Sequence, residues 1–310
     1  MYDNDNHNDN DTNPSIKVID ITPGTQGFAA LREDGSVIGW GSAADGNEAT
    51  WAAMNGDIKV VKIVATSGDH NARGSFAALR EDGSVITWGY DSFGGNSSSV
   101  ANKITNKSHS DFSAVTDISA TGSAFAAIRS DGSVITWGNT QDGGDSSGVA
   151  SSLNGSSNPT DVVQIYATTS AFAALQKNGA VITWGDVNNG GSSSSVSSSL
   201  NGQVDVTKIF STGSAFAALK SDGSLITWGN ASNGGNSTSV SNDLNGTNDI
   251  TKVFSREDVS FEIFKKLIKS GSFVRCIVTK NTKDKPRSFF DNIDKWAKDQ
   301  GASGLAYFTI

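Results

Sequence analysis

The stretch that decides the fold is Phe125-Ala-Ala-Ile-Arg-Ser-Asp-Gly-Ser-Val-Ile-Thr-Trp-Gly138, which recurs in four near-copies. The other copies begin at Phe28, Phe76, Phe172 and Phe216, and each ends in Trp-Gly. Their tryptophans, Trp40, Trp88, Trp137, Trp184 and Trp228, are spaced by 48, 49, 47 and 44 residues. Self-similarity at such a period is typical of repeat architectures, in which each repeat is one supersecondary unit.

Each repeat carries the signals of a β-hairpin. The dipeptide Asp131-Gly132 tolerates positive φ at both turn positions and is flanked by apolar runs, which is the strongest short-range hairpin signal. Alternation predicts strands over Ala124–Arg129 and Ser133–Trp137. The adjacent alanines Ala126 and Ala127 leave room for neighbouring sheets to approach closely.

A further strand is predicted before each hairpin, since β-forming residues cluster there. These strands are Ile16–Ile21, Val60–Ala65, Val115–Ala120, Val162–Ala167 and Val206–Ser211. Between Trp-Gly and the next such strand, two apolar residues stand four positions apart, at Val100/Ile104, Val149/Leu153, Val196/Leu200 and Val240/Leu244. This spacing suits one helical turn, and a short irregular strand is the alternative.

A three-stranded unit cannot bury both of its faces alone, so the units are expected to stack, either radially as propeller blades or linearly as a solenoid. The Ala-Leu-x-x-Asp-Gly-Ser-Val-x-x-Trp-Gly pattern resembles the repeat of the regulator-of-chromosome-condensation family, over about residues 16–255. The resemblance implies a β-propeller, usually of seven blades. With five copies and a final strand predicted at Ile250–Ser255, an open arc, a five-bladed ring and a six-bladed ring all remain open.

The resemblance implies a fold more than a function, because that family includes a nucleotide exchange factor and protein inhibitors of β-lactamase. Function is expected where the copies differ, in the residues after each Trp-Gly, which would line one rim of the array. Loops on a rigid scaffold are common binding places. The candidate binding residues are Tyr90, Asp91, Phe93, Asn139, Gln141, Asp142, Asp186, Asn188 and Asn230, with Tyr90 and Phe93 as exposed aromatic rings. The alternative is that these are solvent loops without a partner.

The composition changes near Arg256. Residues 256–310 carry 11 Lys+Arg and 7 Asp+Glu, a net charge of +4, whereas residues 1–255 carry a net charge of −12, for the total of −8. Helix, strand, helix and strand are predicted in turn, which makes a small α/β module. The stretch from Lys285 to Tyr307 resembles the GAD domain of bacterial aspartyl-tRNA synthetase, with about 258–310 matching roughly half of that domain. The resemblance suggests Lys280, Lys283, Lys285 and Arg287 as candidate RNA contacts, against the alternative of a solvated basic loop.

Several function classes find no support in the sequence. A single cysteine excludes an intramolecular disulfide framework, and the three histidines lack metal-ligand spacing. Neither a nucleophile elbow nor a phosphate loop is present. No catalytic residue, cofactor or metal site is therefore predicted, and the protein is expected not to be an enzyme. The acidic body argues against DNA as a partner, and the apolar runs are too short for a membrane span.

The sequence thus predicts a mainly β chain with an Asn/Asp-rich disordered leader over 1–15, a propeller-like array of five repeat units over 16–255, and a partial GAD-like α/β module over 256–310. The predicted function is a non-catalytic scaffold that binds an unidentified protein. A tRNA-associated accessory factor and a non-functional chimeric or truncated relative of aspartyl-tRNA synthetase are the alternatives. With no secretory signal visible, the cytoplasm is the default location, and a surface or secreted location by a non-classical route stays open.

Overall fold

The computed structural model describes residues 16–41, 48–68, 74–155 and 161–246. The predicted leader, the predicted strand at 250–255 and the predicted module over 256–310 lie outside the described residues. The described residues form fifteen strands in five three-stranded antiparallel sheets, each with its strands in chain order. The propeller-like array of five repeat units expected from the sequence is therefore confirmed as five separate sheets.

The strands have the following bounds. Sheet 1 contains β1 (Val18–Pro23), β2 (Phe28–Arg32) and β3 (Val37–Trp40); sheet 2 contains β4 (Val60–Ala65), β5 (Ser75–Arg80) and β6 (Val85–Gly89); sheet 3 contains β7 (Val115–Ala120), β8 (Ala124–Arg129) and β9 (Val134–Gly138); sheet 4 contains β10 (Val162–Ala167), β11 (Ala171–Gln176) and β12 (Val181–Gly185); sheet 5 contains β13 (Val206–Ser211), β14 (Ala215–Lys220) and β15 (Leu225–Gly229).

The local predictions agree closely with these bounds. The strands β4, β7, β10 and β13 have the predicted ends, whereas β1 begins two residues later than predicted. In sheet 3 the predicted hairpin is present: Gly132 has a φ of 76°, and Phe125 lies opposite Trp137 in the ladder. The two rings stack with their centroids 5.3 Å apart.

Each apolar pair spaced by four residues begins in a short helical segment, as the first of the two alternatives predicted. These segments are Ser98–Val100, which continues into α2 (Ala101–Ile104), and the 3-10 segments Ser147–Ser152, Ser194–Ser199 and Thr238–Asp243. Leu153, Leu200 and Leu244 directly follow the last three segments. A further helix, α1 (Glu48–Met54), follows sheet 1. The chain then joins the sheet briefly, since the Val134 amide donates to the Leu153 carbonyl over 2.8 Å. No described helix is long and apolar enough to cross a lipid bilayer.

The core lies between the sheets, because successive strand residues face opposite neighbours. Ala77 and Leu79 of β5 pack toward sheet 3, against Phe125 and Trp137, while Ala78 of β5 packs toward sheet 1. Both alanines are fully buried, so sheet 2 is approached closely on both faces, as the paired alanines predicted. Burying each large apolar side chain at such a junction contributes about 1.5–3 kcal/mol.

The first repeat departs from the others. The helix α1 follows β3 and brings Trp51 to within 6.2 Å of Trp88 in the neighbouring sheet, measured between ring centroids. Its Phe28–Trp40 pair is stacked like the others, yet the two side chains are 43% and 47% exposed. Sheet 1 therefore has one uncovered face.

Candidate functional site

The turns that follow each Trp-Gly lie at the same end of the array as the connections between the first and second strands. In sheet 3, β7 ends at Ala120, β8 begins at Ala124 and β9 ends at Gly138, so antiparallel pairing places all three positions together. We call this end the turn rim; it comprises residues 90–93, 139–142, 186–189 and 230–233 and the strand connections beside them. It is the surface on which the sequence placed its candidate binding residues.

In sheets 3, 4 and 5 a threonine in the connection between the first and second strands holds the neighbouring turn of the rim. The hydroxyl of Thr121 donates to the main-chain carbonyl of Asp142 over 3.0 Å. The same bond of 3.0 Å joins Thr168 to Asn189 and Thr212 to Asn233. The sequence analysis missed these threonines, although a Thr-x-Ser-Ala pattern precedes three of the repeats and would have revealed them.

Main-chain hydrogen bonds also link the strand connections from sheet to sheet. The Gly68 amide donates to the Gly122 carbonyl over 2.8 Å, the Gly122 amide to Thr169 over 2.7 Å, and the Thr169 amide to Gly213 over 3.0 Å. Because these bonds use no side chain, they hold the strand connections of the rim in place whichever residues the turns carry. The rim is therefore a scaffold on which side chains can vary.

Three of the candidate residues cap the short turns that they begin. The Asn139 side chain accepts from the Gln141 amide over 2.9 Å, and the Asn230 side chain accepts from the Ser232 amide over 3.0 Å. The Asp186 carboxylate accepts from two amides, those of Asn188 at 2.7 Å and Asn189 at 3.2 Å. Asn and Asp are preferred at such positions because a side-chain oxygen satisfies an otherwise free amide.

Tyr90 occupies the same position in its turn but makes no side-chain cap. Instead, its carbonyl accepts from the Ser75 hydroxyl over 2.7 Å, and its side chain is 38% exposed. The ring is accessible at the rim, as the sequence predicted.

The predicted exposure of Phe93 was wrong. This ring is only 8% exposed, and the fourth residue after Trp-Gly is half-buried in the turns of sheets 3 and 4 as well. The apolar side chain with the highest exposed fraction in the rim is instead Val187, at 68%. Val187 was not among the residues predicted from the sequence. The same position carries Asp91, Thr140 and Ala231 in the other described turns, so no repeated pattern marked it.

The charge of the rim is negative. Its described turns contain Asp91, Asp142 and Asp186 and no Lys, Arg or His. Asp91 is exposed, as are Gln141 and Asn188, whereas one oxygen of the Asp142 carboxylate accepts from the Ser123 hydroxyl over 2.5 Å. The rim presents carboxylates, amides and one phenol ring, which is a surface suited to polar contacts.

The described residues contain no group of three or more His, Cys, Asp or Glu side chains that could hold a metal ion. Two grooves of about 400 and 380 Å³ lie away from the rim residues, each between two neighbouring helical segments. Ser and Thr side chains and aliphatic side chains such as Leu225 and Val134 line them. The candidate rim itself is thus a surface of turns.

The four basic residues that the sequence suggested as RNA contacts, Lys280, Lys283, Lys285 and Arg287, lie outside the described residues. The structure therefore does not test their role.

Comparison with known proteins finds two kinds of similarity. No family profile matches it. A stretch of 55 residues, 18% of the chain, is 91% identical to the aspartate–tRNA(Asp/Asn) ligase of Pelagibacter ubique and covers 9% of that protein. A stretch of 53 residues, 17% of the chain, is 53% identical to the corresponding ligase of Methylocella silvestris and covers 8% of it. The chain thus spans less than a tenth of the length of these ligases.

Among solved structures, human WBSCR16 matches 69% of the chain at 17% identity, with a TM-score of 0.42 and 62% of that structure covered. Prp20p of Saccharomyces cerevisiae matches 69% of the chain at 16% identity, with a TM-score of 0.42 and 57% covered. The ectodomain of the Arabidopsis thaliana receptor kinase ACR4 matches 70% of the chain at 17% identity, with a TM-score of 0.41 and 70% covered. The sequence resembles regulator-of-chromosome-condensation repeats and aspartyl-tRNA synthetase, and proteins of both kinds are among these matches.

Proposed function

We propose that this protein is a non-catalytic scaffold that binds another protein through its turn rim. The observation that carries the proposal is the way in which the turns of the rim are held in place. Main-chain bonds and the threonines Thr121, Thr168 and Thr212 hold the turns, so the side chains of the turns can differ between copies while the turns stay in place. Loops on such a scaffold are typical binding sites.

The chemistry of the rim favours a protein over a nucleic acid. Three carboxylates without a basic residue among the described turns would repel phosphates. Tyr90, which is partly exposed, offers an amphipathic ring of the kind enriched in protein interfaces. The partner surface that fits best is therefore polar and positively charged.

The proposal is tested by cross-linking the full chain to its partners in cells and identifying them by mass spectrometry. A true rim partner is captured by the wild type and lost from a variant that combines Tyr90→Ala with Asp91→Asn and Asp186→Asn. These changes spare the turns, because Asn139 and Asn230 already cap the sister turns. The charge-matched control combines Glu33→Gln with Glu81→Gln. Both change exposed residues beside the hairpin turns, at the end of the array opposite the rim. Equal capture by both variants would contradict the proposal.

A second candidate function rests on the 91% identity to the Pelagibacter ligase over 55 residues. We propose, as the alternative, that residues 256–310 form a separate module that contacts tRNA through Lys280, Lys283, Lys285 and Arg287. The support is the net charge of +4 in this segment, which can neutralise phosphates.

Fluorescence anisotropy with a labelled tRNA(Asp) transcript tests this alternative on the full chain. Replacing Lys283, Lys285 and Arg287 by Gln should weaken binding at least tenfold and flatten its salt dependence, since each phosphate contact releases counterions. The control replaces three exposed lysines of the repeats, Lys59, Lys103 and Lys177, by Gln. Equal loss in both variants would show that binding is unspecific and would reject the candidate function.

A further inference from the structure

The junctions between neighbouring sheets repeat one geometry. In sheets 2 to 5 the Phe–Trp pair is stacked, with centroids 5.1–5.3 Å apart, and both rings are at most 5% exposed. The preceding sheet covers them with its Ala, Leu and Val side chains, as in the cluster of Ala77, Leu79 and Val85 with Phe125 and Trp137.

A left-handed glycine completes the junction. Gly94, Gly143 and Gly190 have φ values of 94°, 100° and 100°, and each carbonyl accepts from the indole of the next sheet over 3.0–3.1 Å. A Cβ on any of the three would lie 2.6 Å from the next Phe ring. Glycine is therefore required where a following sheet docks.

Sheet 1 presents the Phe and Trp rings of this junction, its ring-bearing half, and no sheet among the described residues covers them. Phe28 and Trp40 are stacked at 5.3 Å but are 43% and 47% exposed, and Ile21 is 52% exposed. The corresponding residues of sheet 2, Phe76 and Trp88, are 0% and 3% exposed. Exposed apolar patches of this kind mark interaction sites.

Sheet 5 presents the other side of the junction, its glycine-bearing half, which consists of the left-handed glycine and the covering Ala and Leu side chains. Gly234 has a φ of 102° like its three sisters, yet no described atom lies within 4 Å of where its Cβ would be, and the residue is exposed. Leu219 and Leu225 are half-buried, whereas Leu79 and Val85 at the same positions of sheet 2 are buried. The two ends are thus the two halves of a contact that the chain makes between sheets 2 and 3, 3 and 4, and 4 and 5.

We propose that a second copy of this chain docks head to tail, with Phe28 and Trp40 of one copy against the Gly234 turn of the other. The contact would continue the internal junction, with the Trp40 indole donating to the Gly234 carbonyl. Such a heterologous contact forms a ring where the rotation between copies closes and an open filament where it does not. The proposal goes beyond binding at the turn rim, because it uses the two end faces of the array.

Analytical ultracentrifugation of the full chain over a range of concentrations tests the proposal. The wild type should form assemblies larger than a monomer. Trp40→Asp removes the ring-bearing half, and Gly234→Asn blocks the glycine-bearing half with a side chain that tolerates positive φ. Each variant alone should lose self-association, whereas an equimolar mixture should double in mass, because each variant supplies the half that the other lacks.

Matched controls test whether the effect is specific to the two end faces. Ile19→Asp changes an exposed residue of β1 whose counterparts, Val61 and Val163, stay exposed at internal junctions. Gly148→Asn changes an exposed glycine of the segment Ser147–Ser152 with no atom within 4 Å of its Cβ position. Both controls should assemble like the wild type, and circular dichroism shows whether each variant is folded.

Three outcomes would overturn the proposal: a wild type that stays monomeric, single variants that still associate through a symmetric contact, or a mixture that stays monomeric. If Trp40→Asp fails to fold, Phe28→Asp replaces it with the same expectation.

Discussion

The indole Nε1 of Trp137 donates a hydrogen bond of 3.1 Å to the main-chain carbonyl of Gly94 in the neighbouring sheet. The bond is buried, and it joins two residues that are 43 positions apart. The bond explains two features of the repeat. One is the Trp that precedes Gly at the end of each hairpin, and the other is the first Gly of a Gly-Gly pair, here Gly94, which belongs to the preceding repeat.

Replacing Trp137 by Phe should therefore destabilise the protein beyond the lost ring volume. The buried carbonyl of Gly94 would lose its partner, which costs about 1–3 kcal/mol. The matched control is Trp88→Phe, because the Nε1 of Trp88 is buried without a partner among the described residues. Urea unfolding should show the larger loss for Trp137→Phe, and equal losses would mean that the hydrogen bond contributes nothing.

A second prediction concerns the left-handed glycines. Gly143→Ala should destabilise the protein by more than about 1 kcal/mol, since positive φ disfavours a Cβ and this Cβ would lie 2.6 Å from the Phe172 ring. Gly148→Ala is the control, because open space surrounds its Cβ position. It should change stability by less than about 1 kcal/mol. Thermal unfolding of the two variants distinguishes these effects.

The sequence predicted the features that depend on local chemistry. The Asp-Gly dipeptides mark the hairpin turns, and apolar alternation places the strands, because turn conformation and strand faces are decided within a few residues. The bond from Trp137 to Gly94 was beyond such reasoning, since nothing local indicates which atom of another sheet an indole will meet. The period of the repeat shows only that equivalent atoms will meet in each copy.

The candidate rim was predicted less well than the fold, and Phe93 shows why. Its counterparts are Asp142, Asn189 and Asn233, which in a turn suggest an exposed position. The structure shows that Phe93 is buried and that Asp142 and Asn189 are half-buried. Asn233, in the turn of the last described sheet, is exposed, so burial at this position differs between equivalent turns and does not follow from the residues of the turn.

A third prediction separates the structural and electrostatic roles of Asp186. Asp186→Ala removes the acceptor for two amides and should cost about 1 kcal/mol of stability. Asp186→Asn keeps the cap, as Asn139 does in the sister turn, and should leave the unfolding free energy within about 0.5 kcal/mol of the wild type. Urea unfolding measures both, and equal losses would show that the charge stabilises the turn more than the cap does.

The last prediction concerns acid. The Asp82 carboxylate accepts hydrogen bonds from the Ser84 amide at 3.0 Å and from the Ser84 hydroxyl at 2.5 Å. The same carboxylate forms an ion pair of 2.8 Å with Lys107. Partial burial raises the pKa of Asp82, but the hydrogen bonds from Lys107 and Ser84 outweigh it and lower the pKa from 3.8 to about 2.

Because the folded pKa of Asp82 is lower, the unfolded chain takes up this proton first as the pH falls. The stabilisation is therefore fully present above the unfolded pKa, declines as the pH falls below it, and is gone below the folded pKa of about 2. Asp82→Asn should lower the unfolding free energy at neutral pH by about 1 kcal/mol, a value reduced by solvent screening. The gap between variant and wild type should narrow as the pH falls toward 2 and close below the folded pKa, where the Asp82 carboxyl is protonated and both side chains are neutral. Urea unfolding of the two proteins at neutral and acidic pH measures this gap, and a gap that stays constant with pH would show that the carboxylate charge plays no part.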